Sequence, residues 1–397
     1  MPSALKFLWL IYKLRFGQIK DIKEIEAKGL LTIKIAQHLA LRSDFFKSQI
    51  CMSLAQLFSQ ENPSRPKNIS ELMDEKERAF FRQVDERPFV CASVGQIHHA
   101  ELLSGEKVVV KILKNDFESE FKADVLALDK FFSFLELTYP RFQKIFDPRA
   151  MLSYIQSYSL EELDLRKESE GQARLKSIQE KTKSSYDLSR LAFPKIYSQL
   201  SHKNILISSY IEGSSFRQLM LKNELAYDLL LELFKIHGFY LFCQGEFHGD
   251  LHPGNIISGK DSKFYFIDTA SISKSSPLIS TNLLKFFFEL SEYNYFSAAH
   301  YIHEMAVTKL DESKLKKFKL DFSKLYANFK GKTVSELSLT KQMMETMKLA
   351  IISGMSFDHS LFPIIKSLSY LDGMVLNSNP KADLIKDMKK SIEGLLK

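Results

Sequence analysis

Three polar residues stand at fixed intervals within one apolar neighbourhood of the chain. Phe247-His248-Gly249-Asp250-Leu251-His252-Pro253-Gly254-Asn255 is followed by an apolar run that ends Phe266-Ile267-Asp268. Transfer of a phosphoryl group needs a carboxylate near the acceptor oxygen, and an amide oxygen with a second carboxylate to hold magnesium against the phosphates. Asp250, Asn255 and Asp268 supply these groups in that order. The competing use of the same stretch is a polar loop tied down by ordinary hydrogen bonds.

An Asp followed five residues later by Asn, and then by a hairpin ending in Asp, is the spacing of a kinase catalytic loop and its metal-binding strand. Such a site also needs a cation for the α- and β-phosphates and a carboxylate to hold that cation. Val108-Val109-Val110-Lys111-Ile112 puts Lys111 in a strand, on the face of Val109 and Leu113. A lysine guarding an edge strand against aggregation is the alternative. The acidic partner is expected on the following long helix, in Glu161-Glu162-Leu163-Asp164-Leu165-Arg166-Lys167-Glu168. On one helix Asp164 and Glu168 share a face, and like charges at that spacing call for cations opposite them: Lys111, another lysine or a metal. A solvated charged face is the other reading. No Gly-x-x-x-x-Gly-Lys-Ser/Thr loop exists, which excludes the P-loop ATPases. Nor does a Gly-x-Gly-x-x-Gly precede the first strands; Cys91-Ala92-Ser93-Val94-Gly95-Gln96-Ile97-His98 stands there, a stiffer loop whose one glycine still lets backbone amides approach phosphate.

The elements that must carry these residues follow from periodicity. Asp21 to Gln60 has apolar residues at three- and four-residue spacing (Leu30, Ile33, Ala36, Ala40, then Leu54, Leu57, Phe58), which predicts two or three helices. From Pro88 the texture changes. Phe89–Ala92, Gln96–Leu103 and Lys107–Leu113 predict a three-stranded meander, its last two strands joined across Ser104-Gly105. Helical spacing returns over Phe117–Leu137 and Met151–Leu175, followed by a polar loop from Lys181 to Arg190 and a buried strand over Asn204–Ile211. Beyond Ser214 the chain reads as helical, broken by one hairpin of Asn255–Ser258 and Lys263–Ile267. The expected fold class is α+β and bilobal: a helical extension over 1–85, a small lobe with a helical insert over 86–212, and a helical lobe over 213–397. A cleft between lobes is where a ligand is expected.

Composition sets outer bounds. With 397 residues, 45% hydrophobic and 26% charged, disorder and fibres are excluded. The net charge of +7 admits an anionic partner such as nucleotide, lipid or nucleic acid without choosing among them. No basic platform interleaved with aromatics appears, so nucleic acid is not expected. Cys51, Cys91 and Cys243 are odd in number and widely spaced, which points to the cytoplasm rather than to a disulfide framework or zinc site. No eighteen-residue apolar run offers a spanning helix. Leu5 to Tyr12, with Trp9 and the flanking Lys6, Lys13, Arg15 and Lys20, suits either peripheral attachment to a bilayer or packing on the protein itself. His300, His303 and Glu304 lie at helical spacing but without a third partner elsewhere, and are read as ordinary core or surface residues. Leu315, Phe318, Phe322, Leu325 and Phe329 form a stripe expected to pack on the large lobe.

With these motifs the chain resembles, nearly end to end, the UbiB-like or AarF atypical kinases. Ala92-Ser93-Val94-Gly95-Gln96 is similar to their alanine-rich nucleotide loop, and Glu162-Leu163-Asp164 with Glu168 to their Glu-x-Asp motif and lysine-pairing glutamate. Phe247 to Asn255 resembles their catalytic loop, and Lys34-Ile35-Ala36-Gln37 with Arg42 the signature Lys-x-Gly-Gln of an N-terminal helix. Leu361-Phe362-Pro363 and Leu371-Asp372-Gly373 fit the family's last helices.

The resemblance implies a protein-kinase-like fold with an N-terminal helical extension, and adenine nucleotide (ATP) and Mg2+ as ligands. Asp250, Lys111 and Glu168 are then the catalytic set, and Asn255 and Asp268 the metal ligands. Lys34, Gln37, Ala92, Ser93, Gly95, Gln96, Glu162 and Asp164 line the nucleotide, the Lys34 helix folding across the cleft. It further implies support of ubiquinone or other isoprenoid-lipid metabolism, in the cytoplasm and peripherally at the inner membrane surface. This chain departs from the pattern at Ala36, at Ser209 in the hinge, and at Asp268-Thr269-Ala270 in place of Asp-Phe-Gly. Gly249 replaces the arginine of a kinase loop and no Ala-Pro-Glu follows, so a peptide-docking platform is missing. Two other readings stay open. One is a small-molecule phosphotransferase like the aminoglycoside and choline kinases, which lack the Lys34 and Ala92 motifs; the other is a non-catalytic nucleotide-sensing scaffold on membranes.

Overall fold

The computed structural model describes residues 2–16, 23–40, 50, 53–54, 66–91, 94–114, 117–138, 148–358 and 360–396. Ala92, Ser93, Arg42 and Cys51 lie outside them. The chain divides into two compact units, one formed by 1–42, 49–170 and 194–210, the other by 43–48, 171–193 and 211–397.

In the first unit the helices α1 (Ser3–Arg15), α2 (Lys23–Glu26), α3 (Leu30–Ala40) and α4 (Glu75–Arg78) precede the strands β1 (Phe81–Val84), β2 (Val90–Cys91), β3 (Gly95–Leu102) and β4 (Lys107–Leu113). Then come α5 (Phe117–Thr138), α6 (Pro148–Glu162) and α7 (Arg166–Thr182), β5 (Leu191–Ala192) and β6 (Ile205–Ser209), of which β5 and most of α7 belong to the second unit. The antiparallel sheet runs β1-β3-β4-β6, with β2 also on β3. The expected meander is present, and β6 joins it in the register Lys111↔Leu206. Strand β1 was not legible: of Phe81-Arg82-Gln83-Val84 only Phe81 is buried, so no alternation marks it. On β4 the side chains of Val108, Val110 and Ile112 enter a core with Ile69, Leu102, Ile205 and Ile207, which turns Lys111 to the opposite face. Helix α1 packs on the protein through one side, as one of its two readings expected. Phe7, Leu10 and Leu14 are buried, Phe7 edge-on to Phe132 of α5, while Leu5, Leu8, Tyr12 and Phe16 are exposed.

The second unit holds a four-stranded sheet in the order β5-β10-β9-β7 and a two-stranded ribbon of β8 and β11, where β7 is Gly213–Ser215, β8 Glu246–His248, β9 Ile256–Gly259, β10 Phe264–Phe266 and β11 Ile272–Lys274. The hairpin β9–β10 is the one expected from the sequence. Around it lie α8 (Phe216–Leu221), α9 (Tyr227–Gly238), α10 (Pro277–Ser291), α11 (Tyr295–Met305), α12 (Glu312–Leu325), α13 (Leu339–Ile352), α14 (Leu361–Ser378) and α15 (Leu384–Leu395). Helix α10 starts at Pro277, with Ser276 capping it and the proline in its first turn. Phe318 and Phe322 of the stripe on α12 are wholly buried in the unit's large aromatic core, as anticipated. Asp372 has a structural use: its carboxylate accepts the Leu339 and Thr340 amides and the Ser338 hydroxyl at the start of α13. None of the described helices is long and apolar enough to cross a membrane.

Candidate active site

In the second unit the loop after β8 is held by groups that leave it little freedom. His248 is buried; its Nε2–H donates to the Ile267 carbonyl (2.9 Å) and its Nδ1 accepts the Asp250 amide (3.2 Å). One neutral imidazole thus ties the loop to the residue before Asp268, and burial keeps it neutral by lowering its pKa. The Asn255 amide nitrogen donates to the Asp250 carbonyl (2.9 Å), and the Ile267 N–H donates to the Asn255 carbonyl (3.0 Å). These bonds orient Asn255 with its side-chain oxygen left for a cation. Asp268 follows with φ of 54°, in the left-handed region that aspartate tolerates better than most residues and that often marks a functional position. Asn255 and Asp268 are hard oxygen donors, the kind that magnesium takes.

Gly249 is closely surrounded. A Cβ there would lie 2.1 Å from Ser273 Oγ and 3.1 Å from the Ser271 carbonyl, so the arginine of a kinase loop would require the Ser273 hydroxyl to turn away. Asp250 instead meets cations from elsewhere. Lys366 of α14 forms an ion pair with its Oδ1 (2.9 Å), and the Tyr370 hydroxyl donates to the same oxygen (2.9 Å). Burial alone would raise the Asp250 carboxyl, but the Lys366 ammonium bonded to it outweighs burial and holds the pKa at about 2. Lys366 and Tyr370 escaped the reading of motifs. The one available signal was a lone lysine in the otherwise apolar run Leu361-Phe362-Pro363-Ile364-Ile365-Lys366, where a charge needs a partner.

In the first unit Lys111 and Glu168 pair at 2.7 Å, their side chains 19% and 11% exposed, so the cation and carboxylate expected of each other do meet. Lys34 of α3 pairs with Glu162 at the end of α6 (2.5 Å), and Gln37 lies one turn on from Lys34, half-buried. Asp164 needs correction. The segment around it is not one helix: α6 stops at Glu162 and α7 starts at Arg166. Leu163 and Leu165 are both buried, which two residues apart on a helix would not allow on one face, and the Asp164 carboxylate accepts the Arg166 amide (3.1 Å) as in an Asx turn. It also takes the Arg166 guanidinium (2.6 Å to Nη2), which holds its pKa below the usual range. The cation beside Asp164 is therefore Arg166, its near neighbour in sequence. The Gln96 side chain is spent on the fold: its oxygen accepts the Lys67 amide (3.1 Å) and its nitrogen donates to the Lys67 carbonyl (2.6 Å) and to His98 Nε2 (2.7 Å). Its backbone, with that of Gly95, belongs to β3, where Gln96 faces Cys91 of β2 and Ile112 of β4.

His300, His303 and Glu304 do bring candidate ligand atoms within 4.8 Å of one another. His303 Nε2 accepts the Leu310 amide, so the neutral ring carries its proton on Nδ1, turned to Glu304 at 3.4 Å. Lys309 also lies beside Glu304 (3.4 Å), so the carboxylate of the trio already has a cation next to it.

Comparison with known proteins bears on the family and the fold. The ABC1 atypical kinase-like domain matches residues 55–302. The probable protein kinase UbiB of Histophilus somni is 25% identical over 411 residues, covering 98% of this chain and 73% of the relative. That of Glaesserella parasuis is 24% identical over 391 residues, covering 94% and 69%. An uncharacterized aarF domain-containing chloroplastic protein kinase of Arabidopsis thaliana is 22% identical over 407 residues, covering 93% and 73%. Among solved structures, Rv3197 of Mycobacterium tuberculosis in complex with erythromycin aligns with a TM-score of 0.55 at 17% identity over 81% of this chain and 80% of that one, a likeness of fold alone. With the domain matching more than half of its length over the stretch that carries Lys111, Glu168 and the Asp250 loop, the chain belongs to the ABC1 atypical kinase-like family.

Proposed function

We propose that the chain is a magnesium- and ATP-dependent phosphotransferase or ATPase of the UbiB type that supports ubiquinone or other isoprenoid-lipid metabolism. The observation that carries this reading is the loop in which Asp250, Asn255 and Asp268 are tied together through His248 and two backbone-linked contacts. Asn255 and Asp268 hold magnesium, which when bound neutralises charge on the phosphates. Lys111, kept in place by Glu168, binds the phosphates, and Asp250 orients the acceptor hydroxyl or a water and takes its proton. With a pKa of about 2 Asp250 is ionised throughout the physiological range, ready to accept but a weak base, so orientation is the larger part of its work. The Lys34–Glu162 pair favours the UbiB type over the aminoglycoside and choline kinases, which lack the Lys34 motif. The exposed apolar side of α1, with Leu5, Leu8, Tyr12 and Phe16, suits peripheral contact with an isoprenoid-lipid-bearing membrane.

The test is magnesium-dependent ATP turnover by the purified chain, alone and with phenolic lipids, amino alcohols or sugars as acceptors. The expected result is turnover that Asp268→Asn abolishes and that phenolic lipids stimulate. Full activity in Asp268→Asn removes the metal assignment; preference for amino alcohols or sugars favours the small-molecule kinases; nucleotide binding with no turnover favours a non-catalytic scaffold.

A further inference from the structure

Helix α14 lies far along the chain from the catalytic loop, yet it presents two side chains to one oxygen of that loop. Lys366 and Tyr370 are one helical turn apart, and both contact Asp250 Oδ1 at 2.9 Å. The Lys366 ammonium also lies over the Tyr370 ring (5.8 Å), and the His252 ring meets Tyr370 edge-on (5.4 Å). Around them Ile364, Leu368, Leu371 and Met374 of the same helix are buried in the core, so α14 is anchored and these two side chains cannot drift. The Lys366 side chain is only 13% exposed, and a charge so enclosed is kept where a counter-charge meets it. The loop itself carries neither Lys nor Arg from Phe247 to Asn255, and the Ser273 hydroxyl would have to turn away for an arginine at 249.

We propose that Lys366, assisted by Tyr370, is a positioning residue for the reaction at Asp250: together they pin Oδ1, turn Oδ2 to the acceptor, and bring from α14 the positive charge that the loop lacks. This rests on the magnesium–ATP reading above. In that reaction the acceptor oxygen bonds to the γ-phosphorus as the bond to the β,γ-bridging oxygen breaks. The electron pair leaves with ADP, and the acceptor's proton passes to Oδ2. A fixed carboxylate shortens the search for that geometry, and a fixed ammonium stabilises the gathering negative charge.

The experiment compares wild type with Lys366→Met, Lys366→Arg and Tyr370→Phe. It measures magnesium-dependent kcat and KM, nucleotide affinity by calorimetry, and melting temperature without nucleotide, adding Asp250→Asn and its double variant with Lys366→Met. Lys366→Met is expected to lower kcat by about 10²–10³-fold while nucleotide affinity changes by less than roughly threefold. Lys366→Arg is expected to recover most of the loss, and Tyr370→Phe to lose about tenfold or less. In the nucleotide-free protein the Lys366 and Asp250 changes should be non-additive by roughly 2–4 °C, the mark of a pair that exists without substrate. An active wild type with kcat unchanged in Lys366→Met overturns the inference and spares the reading beneath it. So does an equal loss in Lys366→Met and Lys366→Arg accompanied by weakened nucleotide binding. A wild type that binds no nucleotide and turns none over overturns the functional reading itself, and the inference with it.

Discussion

The two units hold their chemistry-bearing residues by different means. In the first, charged side chains from separate elements hold one another: Lys111 of β4 with Glu168, and Lys34 of α3 with Glu162. In the second, the backbone and a buried ring fix the loop, as the amides and carbonyls of Asp250, Asn255 and Ile267 are bonded within the loop and its hairpin and a Cβ at Gly171 would meet the Thr269 carbonyl; the Lys366–Asp250 ion pair is added to a loop already held. Long side chains can let go and find other partners, such as phosphate oxygens, at modest cost. A loop fixed through its backbone keeps one geometry. The first arrangement suits groups that must exchange a protein partner for a ligand, and the second suits groups whose separation must not change.

That contrast can be broken or sharpened by measurement. The largest effect is expected at the backbone-held loop, where Asp250→Ala should lower ATP turnover by roughly 10²–10⁴-fold with the fold intact by circular dichroism. In the first unit, Glu168→Gln removes the carboxylate charge 2.7 Å from the enclosed Lys111 ammonium and should destabilise by an amount approaching roughly 3–5 kcal/mol. The double variant Lys111→Met with Glu168→Leu should regain most of that stability in urea unfolding yet fail to bind nucleotide. If the double variant is as unstable as the single one, the pair is more than an exchangeable contact.

Gly171 in α7 probes the second unit's rigidity: a Cβ there would stand 1.9 Å from the Thr269 carbonyl, backbone that cannot step aside cheaply. Gly171→Ala should cost about 1–3 kcal/mol and lower turnover, while a neutral result would mean that the 268–270 segment yields more readily than its hydrogen bonds suggest.

A smaller effect is expected from pH. His237 of α9 is fully enclosed and bound to Ser367 (2.6 Å), and burial lowers its pKa from 6.5 to about 3. Between those values the unfolded chain takes up a proton that the folded chain refuses, so stability falls as pH falls, by about 1.4 kcal/mol per pH unit from this residue. His248 adds to the same trend. His237→Gln should remove one proton's worth of slope from denaturation midpoints between pH 6 and pH 4; an unchanged slope would show that the ring is protonated when folded. The smallest effect should come from the exposed Lys195–Glu106 pair, where Lys195→Ala is expected to leave the urea midpoint nearly unchanged, since solvent screens the pair.

Much of this was legible from spacing. Asp250, Asn255 and Asp268 lie within one loop and hairpin, so their separation in sequence is nearly their separation in space, and the β9–β10 hairpin follows from alternation and a turn. Lys111 was legible because its neighbours are β-branched and because a strand sends alternate residues to opposite faces. The break between Glu162 and Arg166 was not, since helical spacing continues across it and only the burial of both Leu163 and Leu165 reveals the turn.

By itself, then, the amino-acid order determined the family, the kinase-like fold and the residues whose partners are near in the chain or dictated by strand and helix periods. Tertiary packing alone decided that Tyr370, 120 residues beyond Asp250, and Lys366 on the same helix close over that carboxylate, and that a Cβ at 171 would meet the Thr269 carbonyl. The reason is that local periodicity says which face a residue occupies, whereas the identity of what lies opposite depends on how distant helices settle around a shared core, and no spacing within one segment encodes that.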